Sequence, residues 1–136
     1  MSVSKKGKVF ITTIRNYQSC NCRANFLITV SKRGLHGTLV PFDRLAPSPL
    51  LFEEMMKAKK NNDEDSFQRG LQKFRGYRLR PGVQAGIQIL RELLDLGQDI
   101  TLSCYCEDLD KCHRKIVGEW FEQLEYEVVY VTSQVD

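Results

Sequence analysis

The residues best suited to chemistry lie together in positions 104–114, which read CYCEDLDKCHR. Within this segment Cys112 and His113 are adjacent, and we predict that they occupy the first turn of a helix. A thiol at a helix N-terminus has a lowered pKa and becomes a better nucleophile or metal ligand, while histidine changes its charge near neutral pH. Cys112 and His113 are therefore the candidate catalytic residues. The alternative is that Cys112 is a small buried residue and His113 a surface imidazole.

Metal binding is a second possible use of these side chains. Two C-x-C pairs, at positions 20 and 22 and at positions 104 and 106, precede Cys112 and His113 in the chain. Structural zinc sites favour C-x₂₋₄-C spacing, and reactive dithiols favour C-x-x-C, so neither pair fits well. We predict no metal ligand and expect Cys104 on the buried face of a strand. A cysteine and histidine metal-binding module stays open as an alternative.

Basic residues follow the predicted strands. Arg15 follows the first strand, Lys32 and Arg33 follow the second, and Arg114 stands at the helix start after the third. Ligands of open parallel sheets bind at the carboxyl ends of the strands, and helix N-termini favour anions. This arrangement predicts a negatively charged ligand, such as a phosphate or a carboxylate, contacted by Arg15, Arg33 and Arg114.

The elements that must position these residues alternate between strands and helices. Apolar, β-branched runs predict strands at 8–14, 25–31, 99–105 and 126–132. Helical spacing predicts helices from 49 to about 59, around 67–80, from 82 to 97, and after an N-cap at Asp110, while 34–47 is predicted as a loop. The order predicts an α/β fold, with a mainly parallel sheet flanked by helices.

Composition limits the class of protein. A chain of 136 residues, 42% hydrophobic and 27% charged, is expected to form a single globular domain over residues 1–136. No apolar run approaches the roughly 18 residues that span a bilayer, and residues 1–7 lack the apolar stretch of a secretory signal. We expect a cytoplasmic protein without membrane contact, in which five cysteines form no disulfide framework. The net charge of +3 permits binding to nucleic acid without requiring it.

The chain resembles the YeaO-like (DUF488) family, a group of proteins of unknown function. The most specific shared pieces are Ala46-Pro47-Ser48 with the leucines that follow, and Cys112-His113-Arg114 after an apolar strand. The resemblance implies a compact Rossmann-like domain and no established activity. It places the polar positions of the family at the following residues: Arg15, Arg33, Ser48, Cys104, Cys112, His113 and Arg114.

Two features depart from this family. Relatives often carry an acidic residue where this chain has Cys106, and the pair Cys20 and Cys22 is not associated with the family. Some relatives also lack the cysteine before the histidine. The resemblance therefore implies that His113 and Arg114 matter more to the site than Cys112.

These patterns lead to one main functional hypothesis. We expect a pocket that binds a phosphorylated or nucleotide-like small molecule at a strand-to-helix junction, with Arg15, Arg33, Ser48, Cys104 and Arg114 as ligand-binding residues. Enzymatic turnover through His113 and Cys112 remains open. A nucleic-acid-binding accessory protein is the alternative from another class. The sequence identifies no substrate, cofactor or oligomeric state.

Overall fold

The computed structural model describes residues 6–29, 39–105, 108–109 and 112–131. Its centre is a five-stranded sheet in the order β3-β2-β4-β1-β5, and every strand pairing is parallel. The strands are β1 (Val9–Thr13), β2 (Ala24–Leu27), β3 (Leu39–Pro41), β4 (Ile100–Cys104) and β5 (Val128–Tyr130). The predicted α/β fold with a parallel sheet flanked by helices is confirmed.

The central strand β4 sets the position of the site. All five of its residues are buried, because neighbouring strands pair on both sides and helices cover the sheet. The register aligns Val9 of β1 with Ile100 and Thr13 with Cys104. Both strands therefore end at the same edge of the sheet.

In the described part of the chain, four α-helices connect and cover the strands. They are α1 (Pro49–Lys60), α2 (Glu64–Arg75), α3 (Pro81–Asp95) and α4 (His113–Gln123). Proline opens α1 and α3, where its missing N–H has no helical partner to lose. The prediction that Gly97 stops α3 is confirmed, since the helix ends at Asp95 and Gly97 lies in the left-handed region with φ of 89°. None of the described helices is both long and apolar enough to cross a membrane.

The structure differs from the predicted elements in several places, three of which concern β3, β2 and α4. Strand β3 lies inside the segment predicted as a loop, because three residues ending in a proline give almost no strand signal. Strand β2 ends at Leu27, earlier than predicted, and positions 30–31 lie outside the described residues. Helix α4 has Cys112 as its N-cap, so the prediction of an N-cap at Asp110, itself outside the described residues, is wrong.

The N-cap of α2 gives a pH-dependent prediction. Hydrogen bonds from the hydroxyl (2.6 Å) and backbone N–H (3.1 Å) of Ser66 hold the pKa of the Asp63 carboxyl below its ordinary value. A carboxylate with a lowered folded-state pKa stabilises the protein above its ordinary pKa, and this contribution is lost as the pH falls through the folded value. We expect Asp63→Ala to lower the melting temperature at pH 7, and the difference from wild type to shrink below about pH 4.

Thermal melts of both proteins between pH 7 and pH 2 check this expectation. Asp65→Ala is the matched control, because Asp65 lies in the same first turn but is not the cap. A difference for Asp63→Ala that stays constant over this pH range would contradict it.

Candidate functional site

Two cysteines and a histidine meet at the carboxyl edge of the sheet. Cys104 is the last residue of β4, Cys112 is the N-cap of α4, and His113 is its first residue. One ligand atom from each of the three lies within 4.8 Å of the others, and Cys112 Sγ is 3.9 Å from His113 Nδ1. We refer to Cys104, Cys112 and His113 as the thiol–imidazole cluster.

The orientation of the His113 ring is fixed from both sides. Its Nε2 makes a hydrogen bond with the backbone carbonyl of Ile28, just beyond the end of β2. A carbonyl oxygen only accepts, so in the neutral ring Nε2 carries the proton and Nδ1 keeps its lone pair. Phe74 of α2 packs edge-on against the ring, with centroids 5.3 Å apart. The basic nitrogen of His113 is thereby directed at Cys112.

The cluster lies inside the protein. Cys104 is 1% exposed, Cys112 2% and His113 3%. The prediction that Cys104 faces the interior is confirmed, whereas the alternative of His113 as a surface imidazole is contradicted. The three side chains are therefore shielded from bulk water, and electrostatic interactions among them are stronger than at the surface.

The three arginines predicted as ligand contacts differ in their location. Arg114, in the first turn of α4, is 1% exposed and is among the largest fully buried side chains. Arg15 is exposed, and the residue before it donates its backbone N–H to the carbonyl of Cys104 at 3.2 Å. Arg33 lies outside the described residues. The fold therefore places Arg114 inside the protein and Arg15 at its surface.

Ser48 lies in a separate place, at the N-terminus of α1. Its hydroxyl accepts from the backbone N–H of Leu51 at 3.2 Å and from the Tyr77 hydroxyl at 3.0 Å. Ser48, Tyr77 and Arg80 line an open cleft of about 430 Å³. Tyr77 packs on Phe74, with centroids 5.2 Å apart, and Phe74 in turn packs on His113. One aromatic layer thus lies between this cleft and the thiol–imidazole cluster.

The Tyr77 hydroxyl has an unusual environment in that cleft. Burial by itself raises its pKa, but the hydrogen bonds with Ser48 and the charge of Arg80 bring the pKa below its ordinary value. The Arg80 guanidinium lies over the Tyr77 ring, 3.5 Å from the centroid. Neither residue was predicted from the sequence; the available signal was an aromatic residue three positions before the Arg80-Pro81 pair at a helix start.

The first C-x-C pair is not part of the cluster. Cys20 and Cys22 are half-buried beside the start of β2, and Cys22 Sγ lies 3.7 Å from the Cys20 carbonyl oxygen. Burial and the nearby Cys20 and Asp99 raise the pKa of Cys22 to about 12. Cys106, of the second pair, lies outside the described residues. Among the described cysteines, the fold therefore brings Cys104 to Cys112 and leaves the first pair apart.

The fold and the cluster together define a class: a parallel α/β domain with a buried thiol–imidazole cluster at the carboxyl edge of its sheet. The chain matches the family model DUF488-N3a, described as the active DUF488-N3 subclade, over residues 27–125. It belongs to this family, which confirms the resemblance seen in the sequence. The matched region contains the whole cluster and Ser48 but not Arg15. No curated protein and no solved structure matches the chain significantly.

Proposed function

We propose that this protein binds a phosphorylated or nucleotide-like small molecule at the junction of β4 and α4, and that Cys112 and His113 act on it. The observation that carries the proposal is the thiol–imidazole cluster, held by two different elements at the carboxyl ends of parallel strands. This edge is where open α/β sheets bind their ligands. The His113 imidazole, with a lone pair on Nδ1, lies beside the Cys112 thiol. Two such groups are suited to acid–base or nucleophilic chemistry.

The start of α4 supports a negatively charged ligand. Ser48 and Asp63 cap α1 and α2 by accepting hydrogen bonds from first-turn N–H groups. The N-caps of α3 and α4 provide no such side-chain bond, and of these two helices only α4 begins at the cluster. A helix N-terminus carries a partial positive charge, which favours an anion in the first turn.

The charge of Arg114 supports the same ligand class. A guanidinium is always ionised in proteins and matches phosphate and carboxylate oxygens with paired N–H groups. Arg114 carries this charge into the interior, one residue after His113. The description of the matched family as active favours turnover over binding alone.

Isothermal titration calorimetry of the full chain tests the proposal with inorganic phosphate, pyrophosphate, AMP, ADP and ATP as probes. We expect at least one probe to bind with a Kd below about 1 mM. His113→Gln is the informative variant, because the glutamine Nε2 can still donate to the Ile28 carbonyl while the Nδ1 lone pair is lost. It should weaken binding at least about tenfold.

The control is Arg69→Gln, which removes an exposed positive charge on α2 and should leave Kd unchanged. Absence of binding by every probe would contradict the proposal. Equal weakening by both variants would contradict it as well. The nucleic-acid alternative predicts binding of a short oligonucleotide, with a log affinity that falls linearly with log salt concentration. Such binding, if unchanged by His113→Gln, would favour that alternative instead.

A further inference from the structure

The donor atoms of the thiol–imidazole cluster form a set known from metalloproteins. Two cysteine sulfurs and one histidine nitrogen hold zinc in catalytic sites that leave the fourth position open. We propose that Cys104, Cys112 and His113 bind one soft divalent metal ion, zinc by its ligand preference. The carrying observation is that the three donors, from β4 and α4, converge within 4.8 Å.

The spacing of the donors is close to that of a tetrahedral site. Bond lengths of about 2.3 Å for Zn–S and about 2.0 Å for Zn–N place neighbouring ligand atoms roughly 3.5–3.8 Å apart. The distance from Cys112 Sγ to His113 Nδ1 is 3.9 Å, and no distance in the cluster exceeds 4.8 Å. The ligand atoms would have to move towards one another by about 1 Å or less to reach tetrahedral spacing, and rotation of their side chains can supply this movement.

The surroundings of His113 match those of a metal ligand. Histidine ligands generally donate their second ring N–H to a carbonyl or a carboxylate, which fixes the ring and its tautomer. The Ile28 carbonyl fills this role for Nε2, so Nδ1 is the ligating atom. A fixed imidazole loses little further freedom when the metal binds, and affinity rises accordingly.

Charge balance also fits the buried position. The two thiols lose one proton each on binding, so that a dication, two thiolates and a neutral imidazole give an uncharged group. An uncharged group avoids most of the cost of placing an isolated ion at positions that are 1–3% exposed. In the metal-bound chain the ion would occupy the Cys112 sulfur and the His113 Nδ1 lone pair, so its open fourth position, and not the free side chains, would attract the anionic ligand; this last step alone rests on the proposed function.

Metal binding is measured on the full chain, purified with reductant and incubated with Zn²⁺. After free metal is removed, elemental analysis should find one zinc ion per chain. Substitution with Co²⁺ should give the intense thiolate-to-metal charge-transfer absorption of cysteine ligation. Because this spectrum is recorded on the wild-type protein, it does not depend on whether any variant folds.

Single-residue variants test whether the metal is bound by the thiol–imidazole cluster. Under competition with a chromophoric chelator, Cys112→Ser and His113→Gln should retain less than about a tenth of the wild-type metal. Cys22→Ser removes a thiol outside the cluster and should retain all of it. Absence of metal from the wild type, a cobalt spectrum without the thiolate band, or equal loss in Cys22→Ser would each overturn the inference.

The experiments can refute the metal site and the proposed function independently of each other. One zinc ion per chain with no affinity for phosphate, pyrophosphate or nucleotides would keep the metal site and refute the function. Binding of those probes to a chain that takes up no zinc would keep the function and refute the metal site.

Discussion

Replacement of Phe74 by alanine is expected to lower the free energy of unfolding by about 3–5 kcal/mol. The Phe74 ring is fully buried and contacts three aromatic side chains, with centroid distances of 5.2 Å to Tyr77, 5.3 Å to His113 and 5.2 Å to Trp120. Truncation removes these contacts and leaves a cavity between α2 and α4. The same change removes the packing that holds the His113 ring, so it should also weaken ligand and metal binding.

Urea denaturation followed by circular dichroism measures this loss. Phe74→Leu fills part of the cavity and should cost less than the alanine variant. Leu79→Ala is the control, since Leu79 is 78% exposed and its truncation should change stability by no more than about 0.5 kcal/mol. A loss below about 1 kcal/mol for Phe74→Ala would show that the aromatic layer does not pack as described.

Replacement of Thr101 by valine is expected to cost about 1–3 kcal/mol, although valine has nearly the same shape. The Thr101 hydroxyl donates to Asn25 Oδ1 at 2.7 Å, and Asn25 Nδ2 donates to the Cys22 carbonyl at 2.9 Å. This buried pair links β4 to β2. Valine removes the donor and leaves the Asn25 oxygen, enclosed in the sheet, without that hydrogen bond.

Ser103 offers a matched control on the same strand. Its hydroxyl is also fully buried but has no hydrogen-bond partner among the residues that the structure describes. Ser103→Ala should therefore leave the stability unchanged or raise it slightly. If Thr101→Val and Ser103→Ala had equal effects in urea denaturation, the hydrogen bond to Asn25 would not contribute as argued.

The regular elements were predictable wherever periodicity is strong. Val83, Ile87, Leu90 and Leu94 recur at helical spacing, and all four are buried in α3. Strand β3 was not predicted, because its three residues, ending at Pro41, resemble a loop in sequence. Edge strands can be short and tolerate proline. The parallel pairing of β1 with β4 joins residues about 90 positions apart in the chain. The sequence indicated this pairing only indirectly, through the predicted fold class.

The candidate site was predictable only in part. Cys112 and His113 were identified because they adjoin a helix start, whereas the approach of Cys104 required the register of the sheet. The Ile28 carbonyl has no side-chain signature and could not be predicted. The burial of Arg114 did have a signal: it precedes Val117 and Phe121 by three and seven residues, which places all three on one apolar face of α4.

We propose the junction of β4 and α4 as the ligand-binding site. Backbone amide chemical-shift mapping, with pyrophosphate titrated into the isotope-labelled full chain, tests it most directly. The largest, saturable shifts should fall on residues 112–116, with further shifts at Cys104 and at residues 28–29. Saturable shifts confined to other surfaces, such as the exposed face of α1 and α2, or no saturable shift at all, would contradict the claim.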